Sequence, residues 1–435
     1  MLKVAVATLG CKVNQCESAG ISETMAVRGM TLVPFDAEAD CYIINTCTVT
    51  GRTDYQSRQL IRRAIRRNPA AAVLVTGCYA QRAPEEIARI PGVRIVAGNA
   101  EKARLSDLIE ELAAGKGPEV HVGDIRNEAS FSLLGTAVFP EHTRAFLKIQ
   151  DGCDASCTYC IVPQARGASR SLRPAEIEEQ IALLATRGCR EAVLTGIHLG
   201  AYGRDLTPPT DLAAVVRRVA EAHPIERLRL SSIEPREVTD ELISLIGSSG
   251  IVCRHLHIPL QSGDDGVLAA MNRDYDAAFF SHLIQKIHAA VPSLAVGIDV
   301  IAGFPGETEA AFANTLRLVE GLPLAYLHVF PYSRRPGTPA AAMPNQVPET
   351  EKKRRAEQLR RIGAEKRQTF AERFIGMPLA VLVEGRKEKS TGFSIGFSDN
   401  YIPVACGRIC DANRIVRVMP ESFQNGHLIG EVIHE

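Results

Sequence analysis

Through the first 120 residues, short runs rich in β-branched and apolar residues alternate with longer stretches whose apolar positions recur at helical spacing. The pattern predicts strands over 3–8, 41–45, 72–76 and 93–97, and a helix over 54–67 that Asn68 and Pro69 stop. Alternation of this kind specifies an α/β fold, here an open parallel sheet with helices on its faces. The pattern restarts near residue 145, with strand candidates at 145–149, 191–195, 227–231, 255–258, 295–301 and 326–330, each followed by a helical or loop segment. Six βα repeats predict a partial (β/α)6 barrel, whose chemistry belongs at the carboxyl ends of its strands. Beyond residue 370 the period shortens. Runs at 378–383, 401–404 and 415–418, separated by Gly and Asn/Asp turns, predict a small antiparallel β barrel. The expected domains are therefore 1–120, 140–368 and 370–435.

Composition narrows the function classes. Of 435 residues, 46% are hydrophobic and 23% charged, as in a water-soluble globular chain. No run approaches the roughly 18 apolar residues of a membrane span, and MLKVAVATLG reads as a first strand, not a leader. The expectation is a cytoplasmic protein without a membrane partner. Twelve cysteines then read as reduced thiols serving as metal ligands instead of a disulfide framework. Formal net charge is zero, so charge distribution carries the information. One helix holds Arg58, Arg62, Arg63, Arg66 and Arg67, and a later one holds Lys352, Lys353, Arg354, Arg355, Arg360, Arg361, Lys366 and Arg367. Such runs are usually solvated faces. Beside a small β barrel they also form a plausible phosphate-contacting footprint for RNA.

The chemistry concentrates in QDGCDASCTYC. Cys153, Cys157 and Cys160 are spaced to grip one iron–sulfur cluster, whose four irons ordinarily ask for four protein sulfurs. One iron is left open for substrate or cofactor. The same i, i+4, i+7 spacing also fits a buried helix stripe, but Asp151, Gly152, Thr158, Tyr159 and Pro163 are loop composition. A second set emerges from position alone. Cys11, Cys47 and Cys78 each follow a predicted strand by one to three residues, at the sheet edge where ligands bind in open parallel sheets. Three thiols on three loops converge there into a second cluster site, and the two sites face each other if the sheets meet rim to rim.

QDGCDASCTYCIVPQARG resembles the cluster loop of radical S-adenosylmethionine (SAM) enzymes. TLGCKVNQ, IINTCTV and TGCYAQ extend the resemblance to the methylthiotransferases, and GFPGETE with YSRRPGTPA places it nearest the MtaB type, which acts on threonylcarbamoyladenosine in tRNA. The resemblance implies two 4Fe-4S clusters. One, on Cys153, Cys157 and Cys160, would bind SAM and, with an electron from a low-potential donor, cleave it to a radical. The other, on Cys11, Cys47 and Cys78, would supply methylated sulfur to adenine C2. It also implies that the C-terminal barrel is a TRAM-like RNA-binding domain and that the substrate is a tRNA anticodon stem-loop, whose unpaired bases are easily splayed.

For SAM contacts the resemblance points to Tyr159 beside the adenine and Gly196 at the amino group. Ser232, Glu234 and Gln261 lie where they could meet the ribose or methionine, though each is also a common turn or cap residue. Arg166 and Asp299 are ion-pair candidates as much as ligands. Asn14 and Asn45 could donate hydrogen bonds to the first cluster's sulfurs. Cys41, Cys189 and Cys253 read as small core hydrophobes, and Cys406 with Cys410 lacks further ligands. Cys16 stands where an aromatic is expected in relatives. The competing readings are a methylthiotransferase for isopentenyladenosine or a ribosomal protein, and a non-catalytic zinc-containing RNA-binding protein; two sets of three thiols suit an open cluster better than closed four-ligand zinc.

Overall fold

The structure is a computed structural model that describes residues 1–112, 119–135, 143–389 and 391–434. Its first part is a six-stranded parallel sheet in the spatial order Thr31–Val33, Lys3–Thr8, Cys41–Thr46, Ala72–Gly77, Val93–Ala97, Glu119–His121. The four predicted strands are present, and the two short edge strands carry too few residues to show a period. Lys3–Thr8, first in sequence, lies between the second and third strands, so the chain reverses winding there, and this reversal opens a crevice at the carboxyl ends. Cys11 and Cys47 follow the two strands that flank it.

Two glycines let the cysteine loops close. Gly10 has φ +104°, and a Cβ on it would lie 2.7 Å from the Cys47 Cβ. Gly77 has φ +97°, and its Cβ would meet the Thr46 carbonyl oxygen at 2.4 Å. Neither position accepts a side chain without moving a cysteine loop.

The central part has six parallel strands, Arg144–Lys148, Glu191–Thr195, Arg227–Leu230, His255–His257, Ala295–Ala302 and Tyr326–Pro331. Two three-stranded ladders are joined by the bridges Leu228–Val252 and Ser232–His257 into one open barrel. The expected start of this unit at 140 lies outside the described residues. Leu147, Leu194, Leu230, Leu256 and Ile298 face the surrounding helices in the main core. Alternation along the strands turns Glu191, Arg229, His257, Asp299 and His328 the other way, so the lumen is polar.

The C-terminal barrel closes in the order Leu379–Lys387, Ser394–Ser398, Pro403–Ala405, His427–His434, Ile415–Gln424. It is the expected small barrel, antiparallel in four of its five pairings, while Val404 and Ala405 pair in parallel with Leu428 and Ile429. An odd number of strands, here five, cannot close with every neighbour reversed. The barrel seals the amino end of the central strands, opposite the cysteine rim. Arg227 donates to the Phe397 and Ala380 carbonyls at 3.0 and 2.7 Å, and Arg144 lies 4.8 Å over the Phe397 ring. Among the described residues, no helix is long and apolar enough to cross a membrane.

Candidate active site

Cys153, Cys157 and Cys160 sit half-buried in the loop after strand Arg144–Lys148. The loop is folded back on itself: the Cys153 N–H donates to the Gly167 carbonyl at 3.0 Å and the Cys160 N–H to the Cys157 carbonyl at 3.1 Å. Each sulfur has a polar neighbour. His198 Nδ1 lies 3.5 Å from Cys153, Arg273 Nη1 3.0 Å from Cys157, and the Val162 N–H 3.5 Å from Cys160. Burial and the neighbouring thiols push Cys160 up to about 12. A bound metal would make the Cys160 thiol a thiolate through its charge. Burial disfavours a charge on His198, but Cys153 and Glu237 together raise it to about 10. The cationic His198 and Arg273 thus balance thiolate charge.

Cys11, Cys47 and Cys78 lie within electrostatic range of one another. Cys11 caps the helix Lys12–Val27, and Cys78 opens the helix Cys78–Arg82. Cys47 is buried and pushed up to about 12, first by burial and then by Cys78. Cys11, raised by burial, also interacts with Cys78, while Arg166 and the Asn14 backbone N–H favour its thiolate. The donor set is three thiols from three loops, the same type and number as in the radical loop.

Arg166 joins the two sets. It is six residues beyond Cys160 yet wholly buried, with Nε 3.2 Å from the Cys78 sulfur. Its fork donates to Glu17 at 2.6 Å, Asp151 at 3.2 Å and Asn14 at 2.5 Å. Lys148 reaches Glu17 at 3.2 Å and Asp151 at 3.0 Å, and Lys102 also pairs with Glu17. Burial raises Glu17, but Arg166, Lys102 and Lys148 outweigh it and hold the carboxylate well below its usual range. Two carboxylates and three cations therefore sit buried between the cysteine sets. Asn14 Nδ2 donates to the Leu9 and Thr46 carbonyls at 2.7 and 3.0 Å, and Asn45 Nδ2 to the Asn14 carbonyl at 3.0 Å. These side chains tie the loops of Cys11 and Cys47 together.

The remaining predicted residues lie around the rim. Tyr159 packs among Val267, Met271, Phe304 and Tyr332, and burial keeps its hydroxyl protonated. Gly196 stands over Gln150, where a Cβ would come 2.8 Å from the amide oxygen. Ser232 Oγ is 2.8 Å from His257 Nδ1. Glu234 pairs with Arg273. Gln261, at φ +66°, bridges to Val300 through its backbone. Asp299 lies between His257 and His328, at 3.3 and 3.4 Å; burial raises it, but both imidazoles lower it to about 2.

Sequence reasoning missed His198, Arg273, Glu17 and Lys148. His198 follows Gly196 by two residues and was legible as a rim residue; the others have no local signal. The basic helix needs correction. In Glu349–Glu372, Lys352 is buried over the Tyr332 ring at 5.1 Å. Arg355 pairs with Glu307 at 2.6 Å and Arg354 with Glu309 at 2.9 Å. Of the first four basic residues only Lys353 is exposed and without a partner among the described residues. On Gly51–Arg67, Arg63 and Arg67 pair with Asp36 and Arg58 with Glu86, leaving Arg62 and Arg66 exposed.

Residues 3–98 match the uncharacterized protein family UPF0004, and residues 147–319 the radical SAM superfamily. Threonylcarbamoyladenosine tRNA methylthiotransferase MtaB of Bacillus subtilis is 41% identical over 93% of this chain and 90% of that protein. The MtaB of Aquifex aeolicus is 38% identical over 96% of this chain and 100% of its own length. This chain belongs to the radical SAM methylthiotransferase family, with the MtaB proteins. The tRNA-2-methylthio-N(6)-dimethylallyladenosine synthase of Novosphingobium aromaticivorans is 36% identical over 90% of this chain and 89% of that protein. Among solved structures, the radical SAM methyltransferase TsrM from Kitasatospora setae superposes with a TM-score of 0.58 at 13% identity, over 95% of this chain and 82% of that one, a likeness of fold alone. As a radical SAM methylthiotransferase, the chain is an enzyme of a superfamily that uses SAM and a 4Fe-4S cluster.

Proposed function

We propose that this methylthiotransferase places a methylthio group on C2 of N6-threonylcarbamoyladenosine beside the anticodon of tRNA. The observation that carries the reading is the contact of Arg166, which emerges from the radical loop, with the Cys78 sulfur at 3.2 Å, in a chain 41% identical to an MtaB protein. Cys153, Cys157 and Cys160 would hold one 4Fe-4S cluster, and Cys11, Cys47 and Cys78 a second. With SAM bound, the first supplies a radical able to activate an inert C–H bond, and the second presents the sulfur.

The protein's own part is placement and charge. His198 and Arg273 offset thiolate charge at the radical loop, and Arg166 does so at Cys78. Tyr159, in its apolar pocket, offers a ring face to adenine, while Gly196 leaves backbone accessible where a side chain would strike Gln150. Ser232, Glu234 and Gln261 line the same rim. Arg166 also fixes the separation of the two sites, because its fork is held on both sides at once. Residues 1–120, 140–368 and 370–435 are proposed as the cluster domain, the radical SAM barrel and a TRAM-like RNA-binding barrel. A low-potential electron donor and a cytoplasmic setting complete the proposal.

Nucleoside analysis of tRNA from a deletion strain tests it. Loss of the methylthio group from threonylcarbamoyladenosine, with methylthio-dimethylallyladenosine retained, is the expected result. Loss of the latter instead would assign the chain to the other tRNA substrate.

A further inference from the structure

Three neighbouring strands of the central barrel bring two imidazoles and a carboxylate to one face. His257 ends strand His255–His257, Asp299 lies in Ala295–Ala302, and His328 lies in Tyr326–Pro331, where it is the ladder partner of Asp299. Asp299 Oδ1 is 3.3 Å from His257 Nε2 and 3.4 Å from His328 Nδ1, and the three donor atoms all lie within 4.8 Å of one another. Charge-assisted N–H···O contacts close to about 2.7–2.9 Å, so these are long for hydrogen bonds. They match the spacing of about 3.4 Å between tetrahedral ligands that each hold an ion at roughly 2.0–2.1 Å.

His257 is 6% exposed, and its Nε2, turned toward Asp299, has no hydrogen-bond partner among the described residues. The other ring nitrogen, Nδ1, lies 2.8 Å from the Ser232 hydroxyl. A contact of this kind behind the ring is what orients a metal-ligating histidine. With the proton on Nδ1, Nε2 turns a lone pair toward a carboxylate, an arrangement that repels unless a cation sits between them. Among the described residues no lysine or arginine pairs with Asp299. Tyr326 packs against both rings, with centroids 5.9 Å from His257 and 5.2 Å from His328, so the donors are held in place by the barrel itself.

Imidazole with carboxylate suits a transition ion of the zinc class, whereas magnesium and calcium take oxygen ligands. Three protein ligands leave a fourth position open. His328 also lines a cavity of about 300 Å³ between the C-terminal barrel and the last central strand, through which a water or another oxygen ligand reaches the site. We propose that His257, Asp299 and His328 form a binding site for a divalent transition-metal ion such as zinc in the lumen of the central barrel, separate from the two cysteine sets. The assignment does not depend on the tRNA substrate proposed above.

The test uses the holoenzyme, reconstituted anaerobically with iron and sulfide so that the thiols of both cysteine sets are occupied. Zinc sulfate is the probe, because zinc stands above ferrous iron in the affinity order for such donors. After desalting, the wild type is expected to keep about one zinc per chain at unchanged iron content, the count of a single three-ligand site. Zinc K-edge X-ray absorption should show nitrogen and oxygen at about 2.0–2.1 Å with imidazole scattering, and no sulfur at about 2.3 Å. His328→Ala removes an exposed ligand and should lower zinc affinity by about a hundredfold or more, while Ser232→Ala, which removes only the contact behind His257, should lower it by about 10–100-fold. No added zinc, a sulfur shell, or undiminished zinc affinity in His328→Ala each overturns the assignment. Should His328→Ala fail to fold, His328→Gln carries the same expectation, and the absorption spectrum of the wild type needs no variant.

Discussion

The Arg166 guanidinium lies 3.2 Å from the Cys78 sulfur, although Arg166 ends a helix of the central part and Cys78 opens a helix of the first. An arginine emerging from the radical loop is thus a neighbour of the other site's thiol. Its burial is tolerable because Glu17 and Asp151 neutralise it, and their burial because Arg166, Lys102 and Lys148 surround them.

Removing that arginine leaves Glu17 and Asp151 short of a partner in a low-dielectric place. Arg166→Ala is expected to cost about 3–5 kcal/mol of stability and to lower iron at the Cys11, Cys47 and Cys78 site more than at the radical loop. Denaturant titration and iron counts after anaerobic reconstitution check both. Full iron at unchanged stability would show that the network is dispensable.

The same network gives an acid limit. Burial raises Asp151, but Arg166 and Lys148 outweigh it and hold it at about 2. Its folded value lies below its unfolded one, so its stabilisation is fully present above about pH 4 and is lost as pH falls toward 2. Thermal unfolding between these limits should steepen in the wild type and be flatter in Asp151→Asn, which is less stable throughout.

Gly10 supplies a second, purely steric test. Gly10→Ala combines a left-handed φ of +104° with a Cβ 2.7 Å from that of Cys47. The expected result is an enzyme that loses much of the iron of the first site while the radical loop still reductively cleaves SAM. Retention of both clusters would mean that the Cys47 loop yields freely.

For RNA, the structure redirects attention from Lys352 and Arg355, which are buried and paired, to the exposed Arg62, Arg66 and Lys353. Replacing those three with Ala should weaken tRNA binding and reduce the slope of log affinity against log salt by about 2, on the scale of roughly 0.7–0.9 for each phosphate contact. Arg355→Ala should instead lower stability, through the unpaired Glu307. An unchanged slope in the triple variant would remove these three residues from the RNA surface.

Arg273 tests the radical loop, since it touches both Cys157 and Glu234. Arg273→Met should reduce SAM cleavage by about tenfold or more, the scale of one lost charged contact, and should shift the electron paramagnetic resonance signal of the radical-loop cluster. Unaltered cleavage and signal would confine Arg273 to packing.

The order of strands along the chain, the restart of the α/β pattern near residue 145 and the six cysteines were all legible without coordinates. Each rests on local information: a hydrophobic period over a few residues, or thiols at a strand end. Strand Glu191–Thr195 falls where its run of apolar residues ends. The reversal of winding that gathers Cys11, Cys47 and Cys78 follows from the general geometry of parallel sheets. What only the tertiary structure decided is the partner of each long charged side chain. Arg166 meets Glu17 across 149 positions, Arg335 meets Asp54 across 281, and Lys352 turns inward where its sequence neighbours promised a solvated face. An arginine or lysine reaches several ångströms in many directions, and the group waiting there is set by how separate sheets pack, which no local period encodes. The docking of the C-terminal barrel on the end opposite the cysteines was hidden for the same reason.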